Sequence, residues 1–200
     1  MKLLNKNLFF LIFVFYSISL NAQNIAEVQD DDWVIGNMDA PITMIEYASL
    51  SCPHCASFHK NTFPTIKKEY IDTGKVKFVF RDFPLNIPAL QASKITRCVG
   101  EEFHFKYVST LFMLQKNWVK PEKFEELIFK IVENGGITKE EFDLCLDNKE
   151  IENKILNHQV LANQQLRIKT TPSFVINGEL VGGNKSIDDF RSILNNIKID

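Results

Sequence analysis

Two cysteines separated by two residues are the side chains of this sequence best suited to chemistry. They are Cys52 and Cys55, in the stretch SLSCPHCASFH (49–59). This spacing is used by redox-active dithiols, halves of zinc sites, haem attachment sites and local structural disulfides. Haem attachment needs a histidine directly after the second cysteine, and Ala56 at that position argues against it.

Zinc binding and a purely structural role are the alternatives to redox chemistry. A zinc site usually needs four ligands in two close pairs. His59 could join Cys52 and Cys55, but Cys98 and Cys145 lie far apart in the sequence and form no second pair. A structural disulfide within the motif would close a very short ring and constrain little of the unfolded chain. Both alternatives stay open, and redox chemistry is favoured.

The residues around the first cysteine predict a strand that runs directly into a helix. After a polar lead-in, APITMIEYASL (40–50) carries apolar and β-favouring residues, which indicates a buried strand. From Pro53, apolar residues recur at three- and four-residue steps, which indicates a helix with a kink at Pro64. KVKFVFRDF (75–83) alternates like a second strand, so the three elements predict a parallel strand–helix–strand unit.

This placement predicts different reactivities for the two cysteines. Cys52 lies where the strand ends, and Pro53 suits the first position of the helix. A thiolate there faces unpaired backbone N–H groups and the positive end of the helix dipole, and His54 can add a hydrogen-bond donor or a charge. These interactions lower the pKa of the Cys52 thiol. Cys55, one turn further on, is expected to be more buried and to attack a mixed disulfide rather than a substrate.

The rest of the chain predicts a helical block, a hairpin and a last helix. Residues 86–169 are helical in pattern, and a capping box begins one of these helices at Thr138. The strand PSFVIN (172–177) ends in an Asn-Gly dipeptide, which is a strong hairpin signal. Residues 186–193 close the chain as a helix. The helical block therefore reads as an insertion into a small α/β domain.

The sequence CPHC at a strand-to-helix junction, with TTP (170–172) before a hairpin, resembles the DsbA-like branch of the thioredoxin superfamily. The resemblance covers nearly all of the chain after residue 22. It implies an α/β, thioredoxin-like fold with an inserted all-helical domain. The thioredoxin-fold parts would span about 30–85 and 170–200, and the helical insert about 86–169.

The resemblance also implies roles for the residues around the two cysteines. Pro53 and His54, inside the motif, favour oxidation of substrates. Glu46, on the preceding strand, matches a buried carboxylate that helps to move the proton of the second cysteine. Thr171 and Pro172 match a cis peptide bond that faces the cysteines and offers backbone groups to an extended substrate. The redox group implied is the cysteine pair itself, with no cofactor and no metal.

Cys98 and Cys145 follow Ile95 and Phe142 at helical spacing, so both are expected on inward faces of the helical block. Two buried free thiols are one interpretation. We favour a structural disulfide across the insert, which some members of the resembled family also carry.

The first 22 residues are typical of a secretory signal peptide. They combine two lysines, the apolar run LFFLIFVFYSISL (8–20) and a small residue at Ala22. Cleavage there would leave residues 23–200 as the mature chain, and an uncleaved membrane anchor is the alternative. Export would place the cysteines in an oxidising compartment, where thiols tend to form disulfides.

Together these features predict a periplasmic thiol–disulfide oxidoreductase that introduces disulfides into reduced secreted polypeptides. The resemblance implies reoxidation by a membrane partner of the DsbB type. The formal net charge of −2 leaves no basic footprint for nucleic acid. A monomer is expected, because isomerases of the DsbC type add an N-terminal dimerisation domain for which this chain has little room. An isomerase or reductase, and a non-catalytic metal- or peptide-binding module, remain alternatives.

Overall fold

The structure is a computed structural model that describes residues 24–120 and 122–198. The predicted signal peptide, residues 1–22, lies outside the described residues. Within the described part of the chain, no helix combines the length and apolar character needed to cross a membrane.

A five-stranded mixed sheet forms the centre of the fold, in the order β1-β3-β2-β4-β5. β2 is parallel to β3, and the other three neighbouring pairs are antiparallel. The parallel strand–helix–strand unit and the hairpin predicted from the sequence are therefore both present. The strands are β1 (Val34–Ile35), β2 (Ile42–Ala48), β3 (Val76–Asp82), β4 (Ser173–Ile176) and β5 (Glu179–Gly182).

Helices surround the sheet, and those between β3 and β4 make the helical insertion expected of a thioredoxin-like fold. A π-helical turn at Lys67–Ile71 follows α2, and a 3₁₀ turn at Glu133–Gly135 follows α6. The helices are α1 (Pro53–Asn61), α2 (Phe63–Ile66), α3 (Ile87–Cys98), α4 (Glu101–Met113), α5 (Gln115–Trp118), α6 (Phe124–Val132), α7 (Lys139–Asp147), α8 (Lys149–Leu166) and α9 (Ile187–Asn195).

The two faces of the sheet bury different parts of the chain. Met44 and Ala48 of β2 face the larger core, which α1, α9 and the helical insertion complete. Ile45 and Tyr47 face a smaller core on the opposite side, which includes residues of α8. Period-two alternation along β2 thus sends successive side chains to different cores.

The segment before β1 packs across the smaller core, which the polar lead-in of the sequence did not predict. Ile25 is fully buried, and its carbonyl accepts hydrogen bonds from Tyr47 and Arg81. Asp32 forms a buried ion pair with the same arginine. This segment therefore depends on residues of β2 and β3 for its position.

Cys98 at the end of α3 and Cys145 in α7 form a disulfide. It joins two helices of the insertion across 47 residues of sequence. The pairing that the sequence favoured is therefore the one that this structure contains.

Replacing both Cys98 and Cys145 with alanine should lower the free energy of unfolding by about 4 kcal/mol. The chain-entropy estimate for a loop of 47 residues gives this value, because the unfolded chain gains freedom. Urea unfolding of the double variant and of the wild type, both with Cys52 and Cys55 oxidised, measures the difference. Equal unfolding midpoints would contradict a stabilising role for this disulfide.

Candidate active site

Cys52 lies at the junction between the central strand β2 and helix α1. Its N–H donates to the carbonyl of Ser49 at 2.9 Å, which closes a tight turn after the strand. The residue caps α1, and Pro53 occupies the first turn of the helix, as the sequence predicts. The helix N-terminus therefore points its free N–H groups at the Cys52 sulfur.

A segment more than one hundred residues away completes the surroundings of this sulfur. The Thr171–Pro172 peptide bond is cis, and the Cys52 thiol donates to the Thr171 carbonyl at 3.3 Å. The Thr171 hydroxyl is buried and has no hydrogen-bond partner among the described residues. The structure thus brings Thr171 and Pro172 to the cysteine pair, as the sequence analysis expects.

Hydrogen bonds lower the pKa of Cys52 to about 5. The largest contribution is the hydrogen bond from Cys55, which outweighs the opposing effect of burial. The Thr171 side chain and the backbone N–H groups of Cys55 and His54 add to it. At neutral pH the Cys52 sulfur is therefore a thiolate, the form that acts as a nucleophile.

Pro53 and His54, the two residues between the cysteines in the sequence, are exposed at the surface. The His54 side chain is exposed, and its backbone N–H is the group that stabilises the thiolate of Cys52. A contribution from the imidazole, which the sequence analysis considered, stays a prediction. Both residues are therefore accessible to a molecule that binds next to Cys52.

Cys55 behaves in the opposite way, because it is fully buried. Burial raises its pKa far above the ordinary value, and the hydrogen bond to Cys52 and the negative charge of Glu46 raise it further. The backbone N–H of Ser49 opposes this shift only in part. Cys55 therefore holds its proton while Cys52 is ionised, which suits Cys52 to nucleophilic attack and Cys55 to the role of a resolving thiol.

Glu46 lies on β2 and is fully buried, as the sequence analysis expects. Its Oε2 is 2.7 Å from Nε2 of His59 on α1. From the sequence, His59 is either a zinc ligand beside the cysteines or, as favoured by its aromatic and apolar neighbours, a packed and hydrogen-bonded core histidine. The signal that could have found the pair is helical spacing, because Cys55 and His59 are four residues apart and share one face of α1.

Gln115 is a second residue that the sequence analysis missed. This side chain at the start of α5 is buried, and its Nε2 donates to the carbonyls of Leu50 (2.8 Å) and Cys52 (3.0 Å). The helical insertion therefore holds the turn that carries the nucleophile. No local pattern marks Gln115, because its partners lie more than sixty residues away in the sequence.

Comparisons with known proteins agree with this geometry. A family described as thioredoxin matches residues 28–196. The crystal structure of alpha-DsbA1 from Wolbachia pipientis is 34% identical, with a TM-score of 0.79, over 84% of this chain and 91% of that chain. A Rickettsia conorii protein, provisionally named a protein-disulfide oxidoreductase, is 36% identical over 81% of this chain. The match spans only 58% of the Rickettsia protein.

A more distant relative is disulfide bond formation protein D of Bacillus subtilis. It is 25% identical over 80% of this chain and 74% of its own length. The family match covers well over half of the described residues. The chain therefore belongs to the thioredoxin superfamily, in its DsbA-like branch.

Proposed function

We propose that this chain is an exported thiol–disulfide oxidoreductase that introduces disulfide bonds into reduced secreted polypeptides. The observation that carries the proposal is the contrast between the two sulfurs. The pKa of Cys52 is lowered to about 5, while burial raises that of Cys55. A pair of this kind has one leaving group that is a stable thiolate at neutral pH.

The reaction consists of two thiol–disulfide exchanges. A substrate thiolate attacks Cys52 in the oxidised pair, so a substrate–Cys52 bond forms and the Cys52–Cys55 bond breaks. Cys55 leaves with the electron pair and takes up a proton. A second substrate thiolate then attacks the substrate sulfur of the mixed disulfide. The substrate disulfide forms, and Cys52 leaves as its thiolate, so two electrons have passed from the substrate to the pair.

Residues around the cysteine pair bind the substrate and assist the transfer of the Cys55 proton. The carbonyl of Thr171 lies beside the Cys52 sulfur, and Pro172 follows it into β4. Their backbone groups are placed to hold an extended substrate segment, while Pro53 and His54 form the surface that it meets. Glu46, buried near Cys55, assists the transfer of the Cys55 proton.

The stability of the Cys52 thiolate favours substrate oxidation over reduction. At pH 7, ionisation of a thiol with a pKa of about 5 stabilises the reduced pair by ~2.7 kcal/mol relative to a pair whose thiols stay protonated. This difference makes the reduction potential of the pair ~60 mV more oxidising than that of the protonated pair. An isomerase or a reductase of the same fold is the alternative. The reduction potential of the pair, measured against a glutathione buffer, separates them, because a potential as low as that of thioredoxin would contradict an oxidase.

Export and partners complete the proposal. The apolar segment before residue 22 would direct the chain to the periplasm, where it would act as a monomer on unfolded reduced polypeptides. Reoxidation would be carried out by a membrane protein of the DsbB type. The relative named for disulfide bond formation supports the oxidation of reduced polypeptides. The redox-active disulfide is the group that the reaction needs, without a further cofactor.

Replacing Cys55 with alanine should convert the protein into a trap for its substrates. The Cys52 thiolate would still attack disulfides of periplasmic polypeptides, so a Cys52–polypeptide bond forms as the polypeptide's own disulfide breaks and one of its sulfurs leaves as a thiolate. Without Cys55, no neighbouring thiol of the protein can displace the bound polypeptide. Periplasmic extracts that contain the variant should show adducts on non-reducing gels that dithiothreitol removes. The Cys52→Ala variant is the matched control and should form none. Equal adducts with both variants, or none with either, would count against the proposed oxidoreductase.

A further inference from the structure

His59 and Glu46 form a buried pair against the resolving cysteine. The proposed function uses Glu46 but assigns nothing to the imidazole. We propose that His59 is a positioning residue that acts through Glu46: it supplies the proton that Cys55 takes up and connects the buried carboxylate to solvent. This inference rests on the proposed oxidoreductase function.

The three groups are stacked in a short row between α1 and β2. Cys55 and His59 lie one helical turn apart on the face of α1 that covers the sheet. Nε2 of His59 is 2.7 Å from Oε2 of Glu46. The other carboxylate oxygen, Oε1, is buried and has no partner among the described residues. Because Glu46 acts electrostatically on Cys55, its free oxygen is a buried acceptor available to the proton of that thiol.

Phenylalanine rings enclose this row on the remaining sides. The His59 imidazole stacks on Phe112 of α4, with ring centres 4.3 Å apart, and also contacts Phe63 of α2 and Phe80 of β3. Phe174 of β4 lies opposite Glu46 in the sheet. The charged groups that act on Cys55 are Glu46 and Cys52. The His104 ring also contacts Phe80, with ring centres 5.9 Å apart.

A protonated His59 imidazole would balance the negative charge of the buried Glu46 carboxylate. An isolated carboxylate in a shell of aromatic rings is costly, whereas an imidazolium paired with it leaves the site neutral overall. When Cys55 leaves as a thiolate, one proton passes from the pair to its sulfur. His59 ends neutral, Glu46 stays ionised and Cys55 becomes a thiol, so the total charge of the buried groups does not change in this transfer.

Exposure identifies which member of the row reaches water. Cys55 and Glu46 are fully buried, whereas the side chain of His59 retains 6% exposure. The imidazole is therefore the group through which the row regains or releases its proton. Its two ring nitrogens suit this task, because one can face Glu46 while the other exchanges with solvent.

His59→Gln tests the proposal, because glutamine can donate a hydrogen bond to Glu46 but cannot carry the proton. The measurement is the rate at which dithiothreitol reduces the oxidised protein, expressed as the ratio of variant to wild type across pH. The ratio should be near one at about pH 5, where solvent supplies protons, and should fall by ~100-fold at about pH 8. Dithiothreitol ionises as the pH rises, which changes the rates of the variant and of the wild type by the same factor, so the ratio of the two rates is independent of this effect.

His104→Gln is the matched control, because it replaces a buried histidine whose Nδ1–H donates to the Thr96 carbonyl rather than to Glu46. Its ratio should stay constant across pH. Glu46→Gln should reproduce the profile of His59→Gln, and the double variant should be no slower than either single one.

Three outcomes decide the matter. A ratio for His59→Gln that is lowered but independent of pH would overturn the proposal, since a purely structural role predicts that result. If His59→Gln does not fold, as judged by circular dichroism, the profile of Glu46→Gln decides in the same way. A wild-type protein that reacts with dithiothreitol but oxidises no peptide dithiol would instead overturn the proposed function.

Discussion

Between about pH 5 and pH 8, the reduced protein should gain about 3 to 4 kcal/mol of stability relative to the oxidised protein. The cause is the Cys52 thiolate, which exists only in the reduced form. Its folded pKa of about 5 lies below that of an unfolded cysteine, ~8.5. The stabilisation is therefore complete above the unfolded pKa, declines as the pH falls, and is gone below about pH 5.

Above pH ~8.5, Cys55 limits the gain in stability of the reduced protein relative to the oxidised protein. Its folded pKa is raised, so above ~8.5 the unfolded chain loses the Cys55 proton while the folded protein keeps it. Stability of the reduced form then decreases as the pH rises further. The difference between the reduced and oxidised forms should consequently be largest near pH ~8.5.

Urea unfolding of both redox forms across this range measures the difference, and ultraviolet absorbance of the thiolate titrates Cys52 directly. Cys52→Ser is the control, because it has no thiolate and should follow the pH dependence of the oxidised protein. Parallel stability curves for the reduced and oxidised wild type, or a thiolate midpoint near 8, would refute the assignment and weaken the oxidase proposal with it.

Replacing Arg81 with methionine should lower the free energy of unfolding by about 3 to 5 kcal/mol, because it leaves a buried carboxylate unpaired. The Arg81 guanidinium is fully buried and binds Asp32, with the two side chains 0% and 1% exposed. It also donates to the Tyr47 hydroxyl and to the carbonyls of Ile25 and Glu27. One side chain thus ties the segment before β1 to the sheet.

Arg191→Met provides a matched comparison at the surface. Arg191 binds Glu69 in an ion pair whose side chains are 39% and 37% exposed, and such solvent-screened pairs contribute little to stability. Urea unfolding of both variants in the oxidised form gives the two values. The double variant with Asp32→Leu should recover part of the Arg81→Met loss, because it removes the stranded charge. Similar losses for Arg81→Met and Arg191→Met would contradict the central role of the buried pair.

Local signals in the sequence determined the secondary structure and the reactive pair. Thr138 begins α7 with the predicted capping box, because a hydroxyl and a glutamate three residues apart satisfy the same helix end. The Asn177–Gly178 turn has positive φ at both residues, which is why this dipeptide predicts a hairpin. Cys52 at the start of α1 follows from the strand pattern before it and the proline after it.

Only the tertiary structure decided what surrounds these residues. The Cys52 thiol meets the carbonyl of Thr171, which lies 119 residues away, and Gln115 holds the preceding turn from the helical insertion. The partner of Glu46 is His59: helical spacing places His59 on the face of α1 that carries Cys55, but only packing brings it within hydrogen-bond distance of Glu46. Periodicity and capping act over a few residues, so they fix elements and their faces. The groups that set the charge of each sulfur come from separate elements, and packing alone brings them together.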